Sequence, residues 1–292
     1  MAEPDPSPLV DTAWLAEHLD APDVRVVDGS YYLPHEGRDP RALYEEQHIP
    51  GAVFFDIDEI ADTDSDLPHM LPSPEKFSSR VRALGLGDGV RIVVYDQRGL
   101  WSAPRVWWTF RVFGHRDVVV LDGGLPKWLR EGRPMDLGPG RAEARHFTAR
   151  VDQLLVRDRE QLLANLTERH EQVLDARSRG RFVGADPEPR PDLRGGHIPG
   201  SLNLPFTELF EPESGTLLPP EVLRRKFVEA GVDLSRPVVT TCGSGITAAV
   251  LALGLERAGH RDVAVYDGSW ADWGRPGATP VESGEAEPAG SS

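Results

Sequence analysis

His48-Ile49-Pro50-Gly51-Ala52 returns 149 residues later as His197-Ile198-Pro199-Gly200-Ser201. The repeat does not stand alone. The helix-spaced apolar set Phe77, Val81 and Leu84, closed by Gly85, returns 146 residues on as Leu223, Phe227, Ala230 and Gly231. Val26-Val27-Asp28 has its match in Val173-Leu174-Asp175. Leu121-Asp122-Gly123 followed by Trp128 has its match in Tyr266-Asp267-Gly268 followed by Trp273. Landmarks held in order at nearly constant offset make tandem duplication the economical explanation. The length of 292 residues agrees, since it exceeds the usual single-domain size of about 100 to 200.

The duplication sets the expected domain plan. The halves run from 8 to 131 and from 151 to 276. Residues 132–150, with Gly132, Pro134, Gly138, Pro139 and Gly140, have no counterpart in the pattern and read as a linker. Residues 277–292, rich in Gly, Pro, Ser and Glu, read as a flexible tail.

Within each half, runs dense in β-branched residues alternate with helix-period segments. The first half offers Val24 to Asp28, Arg91 to Asp96 and Val118 to Asp122; the second offers Gln172 to Asp175, Pro237 to Thr241 and Asp262 to Asp267. Continuous apolar runs, without strict alternation, indicate strands covered on both faces. The fold class is therefore α/β: two tandem domains, each a mostly parallel sheet covered by helices on both faces. Ser73-Pro74 supplies a cap and a first-turn proline for a helix whose apolar face is Phe77, Val81 and Leu84, with Gly85 closing it.

Composition narrows the function classes. Thirty-two Lys plus Arg against 47 Asp plus Glu give a net charge of -15, which repels a phosphate backbone, so no nucleic-acid partner is expected. The opening residues lack the basic and apolar regions of a secretory signal, and no apolar stretch is long enough for a bilayer. A cytoplasmic protein with no membrane partner is the expectation. Cys242 is the one cysteine, which excludes an intramolecular disulfide and a multi-cysteine zinc site, and no metal is expected.

A solitary intracellular cysteine is more commonly a small buried hydrophobe than a nucleophile. The neighbours of Cys242 decide otherwise. It follows the strand Pro237 to Thr241 and opens Cys242-Gly243-Ser244-Gly245-Ile246-Thr247, which leads into the apolar helix Ala248 to Leu255. Ligands bind at the carboxyl ends of strands in open α/β sheets. Glycines at 243 and 245 let the loop curl with its N–H groups inward, and the following helix adds its positive end. Such a cradle holds an anion and suits a nucleophilic thiolate.

The tandem His-Ile-Pro-Gly motifs, the stretch Tyr95-Asp96 through Ser102-Ala103-Pro104-Arg105-Val106-Trp107-Trp108, and the Cys242 loop together resemble the two-domain rhodanese-type sulfurtransferases, from about Val10 to Pro276. The resemblance implies a catalytic second half carrying a persulfide on Cys242 and a catalytically silent first half. Asp96, 146 residues before Cys242, fits, because an aspartate cannot carry sulfur. Gly243-Ser244-Gly245 is similar to the loop of the 3-mercaptopyruvate sulfurtransferases, whereas thiosulfate-preferring members place basic residues there. Arg181 and Arg190 match two arginines of the mercaptopyruvate enzymes. Planar guanidinium groups suit the carboxylate and keto oxygen of an α-keto acid. Gly243, Gly245, Ile246 and Thr247 complete the implied substrate-binding set.

The resemblance also implies a relay of Ser244, His69 and Asp58, whose chemical sense is proton supply to a departing enolate. His48 and His197, present in both halves, read as structural. The implied activity transfers sulfur from a small-molecule donor, 3-mercaptopyruvate, through Cys242 to thioredoxin, another thiol or cyanide, with no cofactor. Thiosulfate sulfurtransferase activity is the alternative, and a non-catalytic interaction module a remote one. A phosphatase of the same fold would need an arginine where Ala248 stands.

Overall fold

The computed structural model describes residues 7–140, 143–277 and 279–284. The chain divides into two compact units. The first comprises residues up to Thr63, Leu71–Asp152 and Phe210–Leu217; the second comprises Asp64–Met70, Gln153–Leu209 and the residues from Leu218 onward. The units follow the two halves expected from the sequence, except that Asp64–Met70 groups with the second and Phe210–Leu217 with the first. Hydrogen bonds between residues distant in the chain explain the exceptions. Leu217 N–H donates to Asp122 Oδ1 at 2.8 Å in the first unit, and Arg275 grips Asp66 in the second.

Each unit is built on a five-stranded parallel sheet. In the first, β1 (Leu9–Val10), β2 (Val24–Asp28), β3 (Val53–Phe54), β4 (Arg91–Tyr95) and β5 (Val118–Leu121) lie in the order β1-β5-β4-β2-β3. In the second, β6 (Val156–Arg157), β7 (Gln172–Asp175), β8 (Leu202–Asn203), β9 (Val238–Thr241) and β10 (Val263–Tyr266) repeat it as β6-β10-β9-β7-β8. Register aligns Val27 with Val94 and, in the other unit, Leu174 with Thr240. The long inner strands are those legible in the sequence. The two-residue edge strands are too short to show a period and were not.

Burial on both faces follows the side-chain alternation of β4. Val93 and Tyr95 join Leu15, Leu125 and Trp128, which come from the helices Thr12–His18 and Gly124–Arg130. The helix Ala103–Val112 packs on β4 and β5 from the other side, where a Cβ on Gly29 would lie 3.2 Å from Val94 and 2.7 Å from Val106. Phe77 extends that layer, stacking on Phe113 at 4.2 Å. Fully burying a side chain of this size contributes roughly 1.5 to 3 kcal/mol.

The helix Pro74–Ala83 forms as its sequence dictates. Ser73 Oγ accepts from Lys76 N–H at 3.2 Å, Phe77 and Val81 are buried, and Gly85 at φ 70° lets Leu86 N–H reach back to Val81 O at 3.0 Å. Its counterpart Pro220–Glu229 ends the same way, with Gly231 at φ 93° and Val232 N–H on Phe227 O at 2.9 Å.

Two expectations are corrected. Residues 132–140 and 143–150 are no free linker, and residues 141–142 lie outside the described residues. Gly138 N–H donates to Glu45 O, Asp88 N–H to His146 O, and Phe147 is buried beside Phe77. The start of this segment also has a counterpart, which lies in the expected flexible tail. Trp128 Nε1–H donates to Pro134 O and Trp273 Nε1–H to Pro280 O, both at 2.8 Å. Asp136 then bridges His48, and Glu282 bridges His197, in antiparallel fashion. Residues 279–284 are therefore pinned; residues 278 and 285–292 of that tail lie outside the described residues. The indole donors and the recurring histidine backbones require carbonyl and amide partners when buried, and the strap supplies them.

Candidate active site

Cys242, 2 % exposed, sits at the carboxyl end of β9, the central strand of the second unit. Gly245 adopts φ 80°, a conformation that suits glycine, and its N–H donates to Cys242 Sγ at 3.1 Å. The loop is braced from behind. Cys242 N–H donates to Ser269 Oγ at 3.2 Å, while the carbonyls of Cys242 and Gly243 accept from Trp270 N–H at 2.9 Å and Ala271 N–H at 2.8 Å. Ser244 and Ile246 are buried on the same loop, and Thr247 precedes the helix Ala248–Arg257, its carbonyl accepting from Val250 N–H.

Arg181 reaches this loop from the short helix Arg179–Val183. His197 steadies that helix: its Nδ1 lies 2.8 Å from Phe182 O and its ring stacks on Phe182 at 3.9 Å. His48 is held by Tyr44 in the same manner in the first unit, with Nδ1 2.9 Å from Tyr44 O and the rings stacked at 4.3 Å. The consequence for Arg181 is close approach. A Cβ placed on Gly243 would stand 3.1 Å from Arg181 Nη2.

Sequence reasoning missed the group that aims Arg181. Glu188, whose side chain is almost wholly buried, accepts from Arg181 Nη2 at 2.5 Å and from Arg177 Nη1 at 2.7 Å. Arg177 in turn forks onto Asp175, with Nη2 to Oδ2 at 2.6 Å and Nε to Oδ2 at 2.9 Å, and lies over the Trp270 ring at 4.1 Å. Burial works against the Arg177 charge, but Asp175 and Glu188 more than offset it and raise its pKa. One sequence signal pointed here. The strand-ending acid recurs in both halves, yet two residues later the first half has Ser30 and the second has Arg177.

The remaining residues divide between the units. His69 belongs to the second unit through the segment Asp64–Met70, is buried, and adopts φ 61°; its Nε2 lies 3.4 Å from Arg190 Nη2. Asp58 belongs to the first unit, on the exposed side of the short helix Ile57–Ile60.

Residues 11–131 and 158–275 each match the rhodanese-like domain. The chain belongs to the rhodanese family. It is 47 % identical to the 3-mercaptopyruvate sulfurtransferase of Homo sapiens over 271 residues, covering 91 % of each chain. It is also 46 % identical to the thiosulfate sulfurtransferase of Rattus norvegicus, covering 95 % of this chain and 96 % of that one. The crystal structure of SseA from Escherichia coli, described as a 3-mercaptopyruvate sulfotransferase, superposes with a TM-score of 0.83 at 39 % identity, covering 91 % of this chain and 99 % of that chain.

The first rhodanese domain has a loop of different sequence at the corresponding place, filled from within by Asp96. Asp96 Oδ1 accepts from Arg98 N–H at 2.9 Å, and Oδ2 accepts from Ser102 and Ala103 N–H at 2.8 Å each. Its own carboxylate occupies the amides that a loop of this shape would turn toward an anion. Nearby Asp28, the counterpart of Asp175, has no arginine in the place of Arg177. Burial pushes its carboxyl up to about 6, against hydrogen bonds from Ser30 and Gln97 that favour the charge, and Asp96 adds to the rise.

Proposed function

We propose that this rhodanese is a 3-mercaptopyruvate sulfurtransferase that carries sulfur on Cys242. The observation that carries the reading is the approach of Arg181 to the Cys242 loop across the bare face of Gly243. A planar, permanent cation beside the loop that carries a buried thiol fits a substrate with its carboxylate a few bonds from its sulfur. Arg190 supplies a second fork. Its Nη2 stands 3.4 Å from His69 Nε2.

The Cys242 thiolate attacks the thiol sulfur of the substrate. An S–S bond forms as the C–S bond breaks, and the electron pair leaves on the enolate of pyruvate. Ser244, with the His69 imidazole as the proton source that recharges it, gives the enolate its proton. The persulfide keeps the substrate's sulfhydryl hydrogen, and the Gly245 N–H holds the inner sulfur. An acceptor thiolate, of thioredoxin or a small thiol, then attacks the outer sulfur and releases the Cys242 thiolate. A reducing compartment such as the cytoplasm supplies such acceptors.

Two measurements test the reading together. Incubation with 3-mercaptopyruvate adds one sulfur atom to Cys242 by peptide mass spectrometry. The ratio of kcat/KM for mercaptopyruvate over thiosulfate falls in Arg181→Lys, which keeps the charge and loses the planar fork, by about 1.5 to 3 kcal/mol of transition-state binding. A wild-type preference for thiosulfate beyond about tenfold, or a ratio unmoved by the substitution, replaces this reading with thiosulfate sulfurtransferase activity.

A further inference from the structure

The segment Asp64–Met70 lies in the sequence of the first rhodanese domain, yet it packs into the second compact unit. Its attachment is a two-pronged contact. Arg275 Nη1 donates to Asp66 Oδ2 at 2.8 Å and Nη2 donates to the Asp66 carbonyl at 3.0 Å. The second prong matters most, because it fixes main chain. The guanidinium also holds the Asp66 carboxyl below its ordinary range.

Arg275 is anchored on the other side to the back of the cysteine loop. Its Nε donates to Ala271 O at 3.2 Å, and Ala271 N–H donates to Gly243 O at 2.8 Å. A continuous hydrogen-bonded path therefore runs from Gly243 through Ala271 and Arg275 to Asp66. Three residues further on is His69, in the left-handed region at φ 61°. A histidine keeps such a conformation only when its surroundings over-determine it. Beside the path runs a cleft of about 460 Å³ lined by Pro68, Arg190, Leu193 and Ala271, so packing alone does not seal the segment against the helix Ser269–Trp273.

We infer that Arg275 is a positioning residue: it latches Asp64–Met70 to the helix behind the Cys242 loop and thereby sets where His69 stands relative to Arg190. The inference rests on the proposed roles of His69 and Arg190. The Asp66 side chain is 82 % exposed, so the pair contributes little to global stability. Its effect is on geometry, and displacement of a proton-relay group by about 1 Å is enough to cost up to about a hundredfold in rate.

The test combines hydrogen exchange with kinetics on the full chain. In Arg275→Ala, exchange across residues 64–70 rises and kcat with 3-mercaptopyruvate falls about ten- to a hundredfold, with a smaller change in KM. Alkylation of Cys242 by iodoacetamide, which needs no relay, keeps its rate, and the melting temperature holds. Arg275→Lys, able to make one prong, gives an intermediate kcat. Because the pair is near the surface, the ratio of wild-type to Arg275→Ala turnover shrinks as salt is raised. Unchanged exchange in residues 64–70 overturns the latch, as does unchanged kcat or a parallel change in alkylation and melting that marks a general loss of structure. His69→Ala, measured alongside, separates the failures. If it lowers kcat while Arg275→Ala does not, the latch alone is wrong; if neither does, the proposed role of His69 falls too.

Discussion

Asp28→Asn isolates the cost of burying a carboxylate without a cationic partner. Asp28 is fully buried, accepts from Ser30 N–H at 2.9 Å and from Gln97 Nε2 at 3.2 Å, and titrates at about 6 in the fold against an ordinary 3.8. The native state therefore holds the proton more tightly than the unfolded chain. The stability contribution of this group is present in full below pH 3.8 and is lost as pH rises through about 6. A shift of about two units corresponds to ~3 kcal/mol. Asparagine cannot ionise, so the stability difference between variant and wild type changes by roughly 2 to 2.5 kcal/mol between pH 4 and pH 7, in favour of the variant at the higher pH. Turning the Gln97 amide to meet the new donor adds an offset that does not vary with pH. Urea unfolding followed by tryptophan fluorescence reads the relevant unit, since Trp14, Trp101, Trp107, Trp108 and Trp128 all lie in the first domain. A difference that stays constant across this range, or one that turns against the variant as pH rises, refutes the reasoning.

Other perturbations separate chemistry from structure. Cys242→Ser, a near-isosteric change, abolishes persulfide formation and leaves the melting temperature in place, because an alkoxide is far less accessible than a thiolate at neutral pH; residual sulfur gain by mass spectrometry would remove Cys242 from its role. Asp96→Ala strands the buried N–H groups of Ser102 and Ala103 and the part-buried one of Arg98, and destabilises the first domain by about 3 to 5 kcal/mol in denaturant titrations, while turnover per folded molecule holds. Arg177→Ala leaves Asp175 and Glu188 buried without their shared cation, with an expected loss of about 3 to 5 kcal/mol in thermal or chemical unfolding.

Much of this molecule is written locally. The duplication, the six long strands, the capped helix at Ser73-Pro74 and the Cys242 loop are legible because hydrophobic period and glycine placement encode burial and turn geometry within a few residues of themselves. The asymmetry of the halves is legible for the same reason: Asp96 stands where the second half has Cys242. The loop glycines even foretell the N–H that meets Cys242 Sγ.

What the tertiary structure decided is partner choice over long separations. No local pattern joins His69 to Arg190 across 121 residues, Arg275 to Asp66 across 209, or the indole of Trp273 to a strap at Pro280 that composition reads as a loose tail. Glu188 looks like one acid among 47 until the fold closes around it and makes it the shared partner of Arg177 and Arg181. Sequence period reports how deeply a side chain is buried. Which charge or carbonyl it meets there is set only when strands and straps distant in the chain come within hydrogen-bonding reach, because buried polar groups must find partners wherever the fold brings them.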